Sequence, residues 1–366
     1  MDARLKLGDA LTRDYLRPIN PRSLGWCPAG NMEEILTEFV QGLSLIALLA
    51  IIAVCLAALG KGADILVEQA VALSLRHGIS KVIIGATIVS LGTTLPEVTV
   101  SVMSAIKGKP DLALGNAIGS VICDTGLILG VAAMVGHVPI DLYLMRRQGL
   151  LCLVLGFLII IVCLPFGNLG SMLVDGGRFP QIAGFCFLAI LAGYLWISAR
   201  WAKNVESEFG VESHGKGSTR HILMKLIFGL VVVVSTSHVL IHAVEETAIR
   251  ANVPQSVIAA TLVAFGTSLP ELVTSVMAVR KGHGELAIGN VVGADILNIL
   301  LVAGASAAIT PNGLTASTDF FTLIFPAMIV LMLIFQASTF ICTSRLTKWT
   351  GACLLGGYLC YLGLNL

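Results

Sequence analysis

The sequence predicts an all-α polytopic membrane protein, with ten transmembrane helices arranged as two inverted-topology five-helix repeats. Three observations carry that prediction. Of the 366 residues only 12% are charged and 56% are apolar, with a mean hydropathy of +0.90, whereas a soluble domain carries about 25% charged residues. Ten apolar runs are long enough for a bilayer core of ~30 Å, which takes about 20 helical residues. The first half of the chain also recurs in the second at an offset of 174 residues.

Residues 1–38 hold five basic and six acidic side chains and no apolar stretch. They read as a short polar tail, part-helical and peripheral, and not as a signal peptide. The apolar runs lie at about 42–73, 79–106, 111–136, 148–166, 181–199, 221–248, 254–279, 285–309, 319–337 and 346–365. Each is expected to be helical, because lipid offers the backbone no outside partner. The polar stretch 201–220 is the one long central loop, so the domains are a tail (1–38), a first repeat (39–200), the loop (201–220) and a second repeat (221–366).

Lys and Arg number 13 at the ends shared with Arg76, Arg146 and Arg200, and 4 at the ends shared with Lys107 and Arg178. That bias places the central loop in the cytoplasm of a cell-membrane protein and both termini outside. The net charge of +1 excludes a polyanion partner such as nucleic acid held by bulk charge. Of nine cysteines, Cys55, Cys123, Cys152, Cys163, Cys186, Cys342, Cys353 and Cys360 lie inside apolar runs and read as packing residues; Cys27 is the one expected to meet water.

Residues 86–130 align without a gap on 260–304, with 21 identities in 45 positions. The matches include Gly92/Gly266, Pro96/Pro270, Glu97/Glu271, Gly115/Gly289, Asn116/Asn290 and Gly119/Gly293. Each copy has five spans, an odd number, so the second copy enters the membrane inverted. In secondary transporters that architecture places the site at mid-membrane between the copies.

Each copy holds one helix-breaking segment, GTTLPE (92–97) and GTSLPE (266–271). Proline supplies no N–H and crowds the preceding turn, and the carbonyls it frees persist in lipid only beside a cavity or inside protein. The glutamates Glu97 and Glu271 follow the breaks, where an intramembrane carboxylate costs several kcal/mol. Thr94 and Ser268 stand three residues before them, the spacing of a capping box. Glutamine would cap without charge, so capping alone leaves the acids unexplained. One span later come Ser120 and Asp124, matched by Ala294 and Asn298. The donors are hard oxygens, which suit Ca²⁺ with its 6–8 oxygens at ~2.3–2.6 Å, and Na⁺ as well, but not Zn²⁺ or Cu⁺.

The paired GT[ST]LPE and GN-x-x-G[SA] segments resemble the repeats of the sodium/calcium exchanger family, within the calcium/cation antiporter superfamily. The short central loop is similar to that of its prokaryotic members, which lack a regulatory domain there. The resemblance implies alternating access, no enzyme activity, no cofactor, and Ca²⁺ and Na⁺ as transported ions. Glu97 and Glu271 would then bridge Ca²⁺ together with the carbonyls of Thr93 and Thr267. The carbonyls of Ser90 and Ala264, with Thr94, Ser268 and Ser120, would complete the Na⁺ sites, and Asp124 and Asn298 would close the equator. Ala294 departs from the family by lacking a hydroxyl. Asp295 beside it aligns with Val121, and could join the site or contact a neighbouring helix.

His238 and His242 stand four apart on the sixth span, aligned with Asp64 and Glu68, and read as matched polar positions on the outer helix of each half. Lys61 is expected to pair locally with Asp64. The predicted function is a cation antiporter, working as a monomer on small inorganic cations in a lipid bilayer, with Na⁺ or H⁺ as the coupling ion. A passive channel would need weak sites that ions leave quickly, and no hydrolase motif supports an intramembrane enzyme.

Overall fold

The computed structural model describes residues 28–139, 142–165, 172–209, 218–251, 264–341 and 345–365. Helix α1 (Pro28–Gln41) lies in a unit of its own that ends at Leu43. The proline opens it, where the missing N–H costs nothing. Cys27 and Cys342 lie outside the described residues.

From Ser44 onward the chain is one helical body. Helix α2 (Leu45–His77) starts at Ser44, whose hydroxyl accepts the Ala47 N–H at 3.2 Å, and stops at Gly78, where φ is +61°. Helix α3 (Lys81–Thr93) is followed by α4 (Leu95–Ile106), with a bend of 45° between them. Thr94 marks the bend, and Pro96 in the first turn of α4 is its cause. The first repeat continues through α5 (Pro110–Val135), α6 (Leu142–Cys163) and α7 (Gln181–Phe209), and the second opens with α8 (Thr219–Arg250). The seventh span shows its second half, α9 (Ala264–Gly266) and α10 (Leu269–Arg280). Helices α11 (Gly284–Ile309), α12 (Phe320–Ile341) and α13 (Lys348–Asn365) complete the set.

Among the described residues seven helices are individually long and apolar enough to cross a membrane, and the bent α3–α4 pair makes an eighth. The α9–α10 pair and α13 lie where the seventh and tenth spans are expected. Helix α7 runs ten residues past the expected end of its span, into the stretch read as loop.

Two short connections prove the inversion of the halves. Strand β1 (Gly177–Phe179), before α7, pairs antiparallel with β2 (Leu314–Ala316), before α12. At the other end, Pro139 bridges Arg345, joining the loop before α6 to the loop before α13. Exchanging the two repeats turns one connection into the other, so the halves are related by a pseudo-two-fold axis in the membrane plane. The sequence reading missed both ribbons.

Helices α2 and α8, equivalent members of the two halves, pack against each other over much of their length. Helix α11 is the most enclosed: 94% of its apolar window is buried, against 22% for α2. Cys55, Cys123, Cys152 and Cys163 are buried, as expected of packing residues. Cys186, Cys353 and Cys360 are exposed on the outer surface of the bundle, which corrects that reading. A thiol is apolar enough to face lipid as readily as protein.

Candidate functional site

The two helix breaks place Glu97 and Glu271 in the first turns of α4 and α10. A helix N-terminus carries partial positive charge and favours a carboxylate there. Both side chains are 1% exposed, although nothing basic is near them; among the described residues no Lys, Arg or His is buried.

Each glutamate is met by the hydroxyl of the other copy. Thr94 Oγ1 donates to Glu271 Oε1 at 3.2 Å, and Ser268 Oγ donates to Glu97 Oε1 at 3.2 Å. The capping box is therefore absent: neither Thr94 nor Ser268 caps the helix it begins. The second oxygen of each glutamate, Oε2, is buried and has no partner. Thr267 Oγ1 is in the same condition. Each of the two buried carboxylates therefore has one oxygen held by the opposite copy and one without a partner.

Thr93 is fully buried and bonds back to the Val89 carbonyl at 3.2 Å, while Ser90's carbonyl accepts the Thr94 N–H at 2.9 Å. Ala264 opens α9. Ser120 is buried on α5. Asp124 and Asn298 meet directly, with Asn298 Nδ2 donating to Asp124 Oδ2 at 3.1 Å. The structure thus gathers Glu97, Glu271, Thr94, Ser268, Asp124 and Asn298 into one buried polar layer. Among the described residues no three acidic, histidine or cysteine side chains converge on one point.

Asp295 is 2% exposed and accepts the Thr125 hydroxyl at 2.5 Å, a contact between helices of opposite copies. Asn116 and Asn290 are residues the sequence reading matched but gave no role. Asn116 Nδ2 donates to Ser101 Oγ at 2.9 Å, and Asn290 Nδ2 donates to Ser275 Oγ at 3.2 Å. These equivalent bonds brace each glutamate-bearing helix against the next span. Identity at the repeat offset was the signal that could have found them.

The hydroxyl contacts are testable. Thr94→Val and Ser268→Ala each remove one hydrogen bond to a buried carboxylate, worth about 1.5–3 kcal/mol. Each is expected to weaken cation binding about tenfold, measured as cation-dependent thermal stabilisation of the purified protein.

Lys61 is 4.0 Å from Asp64 and almost fully exposed. The stronger partner of Asp64 is Lys281, at the end of α10, at 3.1 Å, and Lys281 also reaches Glu68 at 2.7 Å. That hydrogen bond holds the Lys281 ammonium above the usual lysine range. His242 Nδ1 lies 2.9 Å from the His238 carbonyl, and Glu246 pairs with Arg250 at 2.7 Å. Among the described residues these groups form no metal centre.

The sequence profile described as "Sodium/calcium exchanger protein" matches residues 47–200 and 221–366. The inner membrane protein YrbG of Escherichia coli is 31% identical over 314 residues, covering 82% of this chain and 91% of that protein. The sodium/calcium exchanger MaX1 of Methanosarcina acetivorans is 31% identical over 331 residues, covering 82% and 93%. A structure of the sodium-calcium exchanger NCX_Mj, soaked with 100 mM Na⁺ and 10 mM Sr²⁺, superposes with a TM-score of 0.73 at 26% identity, over 87% of this chain and 99% of that one.

Proposed function

The chain belongs to the sodium/calcium exchanger family, multi-pass membrane transporters of cations rather than enzymes, and from that premise we propose that it exchanges Ca²⁺ for Na⁺ at Glu97 and Glu271 by alternating access. The observation that carries the proposal is the reciprocal pair of hydroxyl–carboxylate bonds between the two copies. Two carboxylates are neutralised either by one Ca²⁺ or by monovalent ions, and both loads cannot occupy the seat together. Electrostatic exclusion of that kind couples the two fluxes. With neither load, two buried charges remain uncompensated at a cost of several kcal/mol, which opposes return of the empty carrier. Thr93 and Thr267 carbonyls are assigned to Ca²⁺. Ser90, Ala264, Thr94, Ser268 and Ser120 are assigned to Na⁺, with Asp124 and Asn298 at the equator.

Unequal packing supports alternating access. Helix α10 packs along α2, whereas its counterpart α4 has scarcely any contact with α8. Inverted repeats exchange such roles between two states, so the molecule is closed at the Lys281 end. The positive-inside bias makes that end cytoplasmic, with the central loop inside and both termini outside. The tail, repeat and loop boundaries of the sequence reading, and a monomeric transporter in the cell membrane, belong to the same proposal.

Lys281 with Asp64 and Glu68 acts as a latch on the closed end. At the repeat-equivalent place Lys107 matches Lys281, but His238 and His242 stand where Asp64 and Glu68 stand. Partly exposed ion pairs contribute about 0.2–1 kcal/mol each. Lys281→Met is therefore expected to raise apparent Ca²⁺ affinity from the Lys281 side about two- to fivefold, since a larger fraction of carriers opens there.

The test of the whole reading is ⁴⁵Ca²⁺ uptake into proteoliposomes under an imposed Na⁺ gradient or an imposed pH gradient. Uptake driven by Na⁺ supports the proposal. Uptake driven by the pH gradient alone replaces Na⁺ with H⁺, and no uptake under either sinks the calcium assignment.

A further inference from the structure

Beside the two glutamates lies a polar pair with no counterpart in the repeat. Asp295 aligns with Val121, and Thr125 aligns with Ile299, so the equivalent place on the other side of the pseudo-two-fold axis is apolar. The departure occurs next to Ala294, where the hydroxyl of Ser120 has no match. A donor is missing from the symmetric position, and an acid with a hydroxyl partner stands one residue away.

Thr125 follows Asp124 on α5, and Asn298 lies one turn beyond Asp295 on α11. Both segments are widened into π turns, Cys123–Ile128 and Asn298–Ala303, a distortion frequent at functional sites. Asp295 Oδ2 accepts the Thr125 hydroxyl and Asp124 Oδ2 accepts the Asn298 amide. The remaining oxygens, Asp295 Oδ1, Asp124 Oδ1 and Asn298 Oδ1, are all buried without a partner. All four residues are at most 2% exposed. Three orphaned oxygens in one buried layer are too many to leave unexplained in a membrane interior.

Charge counting points the same way. The layer holds four carboxylates, Glu97, Glu271, Asp124 and Asp295, and no buried base accompanies them among the described residues. One Ca²⁺ at the glutamates balances two, and of the two charges left on the aspartates a monovalent cation offsets one and a proton held by the pair the other. The donors left are hard oxygens, and with Thr125 they number four, short of the 6–8 that calcium takes.

We propose that Asp295, Thr125, Asp124 and Asn298 hold a monovalent alkali cation of the sodium class, in a site placed off the symmetry axis beside the glutamate pair. The site rests on the antiporter reading for its role in exchange, since it adds a monovalent ion to the load that opposes Ca²⁺. It also implies a Na⁺ dependence steeper than the symmetric sites alone would give.

The experiment uses the full chain, purified and reconstituted. Wild-type ⁴⁵Ca²⁺ self-exchange tests the calcium reading by itself. The Na⁺ dependence of calcium release is then compared with that of Asp295→Asn and Thr125→Val, the latter removing a hydroxyl at nearly constant shape. The expected result is a Hill coefficient for Na⁺ lower by about one, and a half-saturating Na⁺ concentration at least fivefold higher, in both variants. In detergent, thermal stabilisation by NaCl over choline chloride should shrink in both. That measurement still reads the site if self-exchange fails, and Thr125→Val still decides it if Asp295→Asn does not fold. Unchanged Na⁺ dependence and unchanged stabilisation in the variants would overturn the site. So would loss of a pH dependence with Na⁺ dependence intact, which makes Asp295 a proton carrier.

Discussion

Replacing Glu97 or Glu271 by glutamine is expected to abolish calcium exchange, with a loss of at least 100-fold in ⁴⁵Ca²⁺ flux, while the protein stays folded. The glutamine keeps the carbonyl oxygen that accepts the hydroxyl from the opposite copy, so the bond to Ser268 or Thr94 survives. What disappears is one of the two charges proposed to balance the ion directly, in a layer with no buried base among the described residues. The fold should gain slightly, because a buried uncompensated carboxylate is removed. A monodisperse elution profile and an unchanged or raised melting temperature would confirm that the loss is functional. Near wild-type flux in either variant would show that the ion does not rest on these glutamates. The double variant should be no worse than either single one, because each alone already empties the seat.

The residues that made the fold legible are the ones that repeat. Gly92, Pro96 and Glu97 recur as Gly266, Pro270 and Glu271, and local chemistry alone, a proline in a hydrophobic span, fixes where α3 bends into α4. The candidate site residues came from the same matches. What the sequence left open is which partner each side chain chooses. Thr94 and Glu97 stand at capping distance, so the short-range reading pairs them, yet Thr94 bonds to a glutamate 177 positions away. Lys61 reads as the local partner of Asp64, but Lys281 wins because the end of α10 lies against α2. The three-residue strand Gly177–Phe179 is too short for any periodicity to announce it. Asp295 was visible as an acid without a counterpart, and only the fold brings Thr125 to it. Long-range pairing is set by how helices pack, and a list of spans does not contain that.

Helix packing here rests on glycine, and its removal should have the largest effect on stability. Gly289 and Gly293 are four residues apart on α11, the spacing that lets helix backbones approach in a membrane. A Cβ at Gly289 would fall on the Val82 carbonyl oxygen, and one at Gly293 on the Ala86 Cα, both on α3. From the other side, a Cβ at Gly85 would lie 2.5 Å from the Leu286 carbonyl oxygen. These are backbone atoms, which cannot rotate away as a side chain would. The contact joins the helix that precedes Glu97 to the helix that carries Asp295 and Asn298, so it also sets the depth of the site. Overpacking a core costs about 1–3 kcal/mol when side chains can adjust, a large share of a net stability of about 5–15 kcal/mol. Gly293→Ala is accordingly expected to lower the melting temperature by several degrees, and Gly293→Leu to prevent recovery of a monodisperse protein. Gly193, exposed on α7 with nothing within 4 Å of its added Cβ, is the control; alanine there should leave melting unchanged or raise it slightly, by helix propensity. Equal melting temperatures for Gly293→Leu and the wild type would mean that α3 and α11 do not touch through their backbones.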